Sequence, residues 1–240
     1  MEQNLSKKTR TESDLIGSRE VPESALYGVQ TLRGIENFRI SKFHLNEYPL
    51  FIQALAITKM GAAVANRELD LLTEEQADAI LKACKEILEG KHHDQFPVDM
   101  IQGGAGTTTN MNANEVIANR ALELMGHQRG EYQYCSPNDH VNRSQSTNDA
   151  YPTAIHIGLY YTHLKLVKHF EVLIESFRKK ATEFAHVIKM GRTQLEDAVP
   201  MTLGQTFNGF ASILRHEVKN LDFAAQDFLT VNMGATAIGT

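Results

Sequence analysis

The 240-residue chain has no tryptophan and only two cysteines, Cys84 and Cys135, which excludes a disulfide framework and a cysteine-based zinc cluster. It has no apolar run long enough to span a bilayer, and its opening stretch MEQNLSKKTRTESD lacks the apolar core of a secretory leader. Positive charge is not in excess either: 24 Lys and Arg against 29 Asp and Glu leave a net charge of -5 with both signs interspersed. That balance gives no footprint for a nucleic-acid backbone or an anionic membrane, so a cytoplasmic protein with neither partner is the expectation. Internal repeats, low-complexity runs and a strict heptad seam are all missing. What is present is 42% hydrophobic residues, enough to bury one large or two modest cores.

Hydrophobic periodicity predicts an all-α fold. The first dozen residues read as loose, and Asp14 to Ile40 as an irregular arm broken by Gly17, Pro22, Gly28 and Gly34. A helix is predicted from Pro49 to about Glu68, and another after a Thr73 to Gln76 capping box, ended by Gly90. A third is expected from Glu115 to Met125, with Asn112 or Asn114 as its cap. From Ile155 to Ile188 apolar residues keep one stripe through Leu159, Leu166, Phe170, Leu173 and Phe177, and a second long helix follows Pro200 with Phe207, Leu214, Val218 and Leu221 on one face. This divides the chain into an N-terminal helical domain over 1–145 and two long helices over 146–240, whose apolar flanks call for further helices or subunits. His92 and His93 lie in a charged loop and are expected to be solvated; Cys135 sits in a polar loop.

Three segments stand out: QGGAGTTTNMNANE, SQSTNDAYPT and GRTQLEDAVP. Each crowds hydroxyl and amide side chains where a helix is expected to begin. Thr107, Ser146, Thr147, Asn148, Thr193 and Gln194 carry no charge, yet with helix N-termini beside them they form a donor set suited to a small dicarboxylate. The glycines lack the following Lys of a phosphate loop and the preceding strand of a dinucleotide fold, so nucleotide binding is disfavoured. Read singly, each segment is a flexible loop, a helix cap or a tight connection between helices, with Arg192 and Asp197 pairing locally.

Taken in this order the segments resemble the N-terminal half of the aspartase/fumarase superfamily, from about Asp14 to Thr240. The arm GSREVPESALYGVQTLRGIENF, then GGAGTTTNMNANE, SPNDHVNRSQSTNDAYPTA, KMGRTQLEDAVPMTLGQ and VNMGATAIGT carry the likeness. Fumarases look like GSGTQSNMN and SSND at the first two sites and have His at the position of Gln194, so GAGTTTNMN and STND favour the aspartate ammonia-lyases, some of which also carry that His. The resemblance implies reversible deamination of L-aspartate to fumarate and ammonia without an organic cofactor, and it assigns no metal ligand among these residues. It assigns Thr107, Ser146 and Thr147 to the β-carboxylate, Asn148 and Gln194 to the amino group, and Thr193 to the α-carboxylate. It also implies a homotetramer with active sites built from three chains, and a serine base in a GSSxMPxKxNP loop that is expected beyond Thr240. No catalytic base is therefore expected within these residues, and the chain alone is expected to be inactive. The alternatives are a class II fumarase and a non-catalytic oligomerisation fragment.

Overall fold

A computed structural model describes residues 8–104 and 106–236 of the chain. The expectations for the first seven residues, for Ala105 of the glycine loop and for the last four residues lie outside the described ones. Two compact units emerge: one runs to Gly158 and resumes at Val231, and the other is Leu159–Thr230. The fold is mostly helical, with two two-stranded hairpins as the sheets among the described residues.

The first hairpin replaces the expected loose start. β1 (Thr9–Asp14) pairs antiparallel with β2 (Gly17–Pro22), joining Thr11 to Glu20 and Asp14 to Gly17. Its alternation of period two sorts one polar set from another. On one face Thr9 and Thr11 donate to the Glu20 carboxylate at 2.7 and 2.6 Å. On the other, the Arg10 guanidinium donates to the carbonyls of Pro22, Ala25 and Tyr27, and Glu12 reaches inward. At the hairpin's end Arg33 holds Asp14 in a bidentate pair at 2.8 and 2.9 Å.

Glu12 meets α1 (Val29–Asn37), whose N-cap Gly28 has no side chain to satisfy the first turn. Two carboxylates do it instead. Glu12 accepts the Val29 N–H at 2.9 Å, and Glu115 accepts those of Gly28, Gln30 and Thr31 at 2.8, 2.8 and 3.0 Å. A Cβ on Gly28 would lie 2.5 Å from the Glu12 carboxylate and 2.6 Å from the Tyr132 hydroxyl, so glycine is what lets both acids close in.

The core of this unit is formed by α2 (Pro49–Glu68), α3 (Glu74–Leu88) and α4 (Thr107–Leu124). Pro49 occupies the first turn of α2, and Thr73 and Gln76 exchange both bonds of the predicted capping box at 3.2 Å. Ile52, Leu55, Ile80, Ile87, Ile117 and Leu122 are almost wholly buried, each contributing about 1.5–3 kcal/mol. The start of α4 lies at Thr107, not near Glu115, and the expected caps Asn112 and Asn114 are buried in its interior. His92 and His93 are likewise bound to protein, at Glu86 and the Ile87 carbonyl, and Cys135 is buried.

The helix α5 (Thr147–Glu183) also starts earlier than its apolar stripe suggested. In the second unit it leads to β3 (Ile188–Thr193) and β4 (Glu196–Thr202), an antiparallel hairpin where the sequence suggested a plain connection, and then to α6 (Leu203–Ala225). Arg192 and Asp197 pair across it at 3.3 Å, as expected. A Thr202–Gln205 capping box starts α6. Phe177, Phe184, Phe207 and Phe210 cluster with ring centroids 5.6 to 6.3 Å apart, and His163 bonds Asp222 at 2.9 Å. Elsewhere these helices leave Leu166, Val172, Ile213 and Phe223 exposed.

Replacing Glu115 by Gln keeps its shape but turns an NH2 toward amides that need an acceptor. Glu115→Gln is expected to lower unfolding free energy by about 1–3 kcal/mol in a denaturant titration. An unchanged midpoint and slope would show that the α1 start does not depend on the carboxylate.

Candidate functional site

Four of the six candidate residues lie in the first unit. Thr107 is the first residue of α4, preceded by Gly106 as N-cap, and its hydroxyl lies near the otherwise open space beside Gly104. Gly106 has φ +88, and a Cβ there would strike the Tyr151 ring at 2.5 Å. Glycine is required twice over at this position, by backbone and by space. Gln102 folds over the same turn, its Oε1 accepting the Thr109 N–H at 2.9 Å and its Nε2 donating to the Thr109 hydroxyl at 2.7 Å. The approach to this loop is held by Asp99, which accepts the N–H groups of Ile101, Ser41 and Ile40 and the Ser41 hydroxyl. Burial would raise its pKa, but these donors outweigh it and hold the carboxyl down to about 2.

Ser146, Thr147 and Asn148 open α5. The Ser146 N–H donates to Asp149 Oδ1 at 2.9 Å while Ser146 Oγ accepts the Asn148 N–H at 3.3 Å, so one serine and one aspartate share the capping. Pro152, inside the helix, lacks the N–H that would have bonded the Asn148 carbonyl. Asn232 supplies a donor to that carbonyl at 2.9 Å, and Gly234 N–H bonds Asp149 Oδ2 at 3.0 Å, so the segment after α6 fastens the start of α5.

The two helix starts meet at an open cleft of about 520 Å³ lined by Gln102, Gly104, Gly106, Asn148, Tyr151 and Ile155. Its size suits a small ligand. A side-chain bond joins the two motifs, Asn110 Nδ2 donating to Thr147 Oγ1 at 3.2 Å. A larger cleft of about 980 Å³ elsewhere has charges already in use, Arg129 pairing with Glu123 at 2.6 Å. His140 is also spoken for. Its Nδ1 accepts the Ser136 N–H at 2.7 Å, and burial lowers its pKa.

Thr193 and Gln194 belong to the second unit, where both are exposed. Thr193 ends β3, and Gln194 and Leu195 form the turn with φ +48 and +67. Both are left-handed, the backbone of a type I′ turn, where Asn-Gly would be cheaper by about 1–2 kcal/mol per residue. Among the described residues no cluster of metal-ligating side chains occurs.

Sequence reasoning missed Lys59. It is fully buried in α2, and its Nζ donates to Asn110 Oδ1, Asn142 Oδ1 and Gln145 Oε1 at 2.7, 2.9 and 3.0 Å. The signal was available, since Lys59 is the lone charge between Pro49 and Asn66. Burial pulls its pKa from 10.5 down to about 7, against the charge of Asp149. The unfolded chain therefore holds a proton that the folded one releases, and stability should rise with pH from about 7 to 8.5, before unfolded cysteines ionise. Thermal melts across that window are expected to show the rise in the wild type and a flatter profile in Lys59→Met. Parallel profiles would mean that Lys59 keeps an ordinary pKa.

The family model described as Lyase matches residues 17–240. Aspartate ammonia-lyase of Escherichia coli (strain K12) is 56% identical over 237 residues, covering 98% of this chain and 50% of the relative. That of Pseudomonas fluorescens is 57% identical over 232 residues, covering 96% and 48%. Among solved structures, fumarate lyase:delta crystallin from Brucella melitensis superimposes with a TM-score of 0.92 at 51% identity, covering 94% of this chain and 53% of that one. Class II fumarase from Schistosoma mansoni gives 0.88 at 37% identity, covering 97% and 49%. The chain thus spans about half the length of the curated relatives it matches. With a mostly helical fold, uncharged donors at two adjoining helix starts and a family match over nearly its whole length, this chain belongs to the lyase family and is similar to the N-terminal half of aspartate ammonia-lyases.

Proposed function

We propose that the whole protein of which these residues form part is an aspartate ammonia-lyase, converting L-aspartate reversibly to fumarate and ammonia. The observation that carries this reading is the meeting of GAGTTTN and STND at one cleft in a chain 56% identical to such an enzyme. The chemical difficulty is removal of the proton on the carbon next to the β-carboxylate, whose electron pair spreads into that carboxylate as a second negative charge. The pair then forms the carbon–carbon double bond as the C–N bond breaks and ammonia leaves with its electrons. In this reading Thr107, Ser146 and Thr147 donate hydrogen bonds to the β-carboxylate, and these strengthen as charge accumulates. Asn148 and Gln194 orient the amino group, and Thr193 the α-carboxylate. None of these six is a strong base. The proton is taken by a serine contributed from outside these residues, and the 240-residue chain is inactive by itself. The working enzyme is a cytoplasmic homotetramer.

The test is to incubate the full-length protein with L-aspartate or L-malate as sole substrate and follow fumarate by ultraviolet absorbance. Fumarate from aspartate, with Thr147→Val lowering kcat/KM about 10²- to 10³-fold, is the expected result. Release from malate alone would reassign the protein as a fumarase, and activity of the 240-residue chain would refute the external base.

A further inference from the structure

Lys59 has no carboxylate within ion-pairing distance among the described residues, and its three closest partners are neutral amide oxygens. Such a cation is costly in a core, where an apolar side chain would pack for less. What it does there follows from its hydrogen-bonding valence. In its protonated form the Lys59 amine has three N–H donors and no acceptor, so the three contacts use it fully and only oxygen can face it. It thereby fixes which way round each amide sits. With its oxygen 2.7 Å from Lys59, Asn110 must turn its NH2 the other way, where it reaches Asn142 Oδ1 and Thr147 Oγ1, both at 3.2 Å. Asn142 in turn sends its NH2 to the Gln145 carbonyl at 3.1 Å. Because Thr147 Oγ1 receives the Asn110 hydrogen, its own proton is directed away from Asn110.

We propose that Lys59 and Asn110 are positioning residues that fix the polarity of the Thr147 hydroxyl, holding it as a donor toward the substrate carboxylate. The inference rests on the aspartate ammonia-lyase reading of the site.

The decisive variant is Asn110→Asp in the full-length protein. It is the same size and turns the contact with Lys59 into an ion pair, so a purely structural role predicts a folded, fully active enzyme. In the proposed arrangement the second carboxylate oxygen accepts the Thr147 proton and reverses that hydroxyl. Expected are an unchanged or higher melting temperature and a kcat/KM lower by about 10²-fold, close to the loss in Thr147→Val. Combining Asn110→Asp with Thr147→Val should cost no more than about threefold beyond Thr147→Val alone, because the hydroxyl that Asn110 orients is already gone. Additive losses would overturn the proposal, since they would locate the damage in added negative charge or packing, and so would wild-type kcat/KM in folded Asn110→Asp. Should that variant not fold, Asn110→Ala in the same cycle decides in the same way. A Thr147→Val enzyme as active as wild type would instead sink the functional reading itself.

Discussion

A helix buried on every side cannot leave its polar side chains to water, and α4 is such a helix. From Thr109 to Asn119 every residue is buried, yet the run includes Asn110, Asn112, Asn114, Glu115 and Asn119. Each needs a partner brought by another element, because an unmet polar group in a core costs on the order of 1–3 kcal/mol. The surrounding architecture supplies them: Lys59 and Thr147 for Asn110, the Gln95 carbonyl for Asn112, and Asn142 for Asn114. Glu115 takes the start of α1, while Asn119 bridges the Leu26 carbonyl and the Gly130 N–H. Helix α4 acts as a template on which the arm, α2, the Pro137–Val141 turn and the start of α5 are registered. Only Asn112 Oδ1 and Asn114 Oδ1 are left without partners among these side chains.

That demand bears on how uncharged residues can serve the anion site proposed above. Hydroxyls rotate freely and amides can flip, so neutral donors are poorly defined unless something behind them chooses their orientation. Charged groups do this from one layer back. Asp99 gathers the approach to the glycine loop, Asp149 joins the turn into α5 to the Gly234 segment, and Lys59 faces the amides. The layer in contact with the cleft stays neutral, and the formal charges lie beneath it.

How much of this was legible in the sequence depended on whether a residue's role was set locally. Pro49, the Thr73–Gln76 box and the stripes of α3 and α6 act within one helix, and they announced themselves. The β1–β2 hairpin did not, because alternation between Thr and Glu on one face and Arg and Glu on the other carries no apolar signal. The start of α4 was misread because Thr and Asn favour caps and turns, a preference overridden by distant partners. The six candidate residues could be chosen from motif order, but their geometric setting could not. Lys59 was visible as a lone charge in an apolar helix but its partners were not, and the positive φ at Gln194 and Leu195 is a property that no composition reveals.

The stitching of Asn232 to the Asn148 carbonyl and of Gly234 to Asp149 has a consequence for biosynthesis. These bonds span 84 and 85 positions of chain. A ribosome delivers the start of α5 long before it delivers its fastening, and with Pro152 already withholding one amide, that turn leaves the exit tunnel incompletely bonded. The nascent polypeptide must therefore carry an unfinished pocket until the whole of the following helical hairpin has been translated.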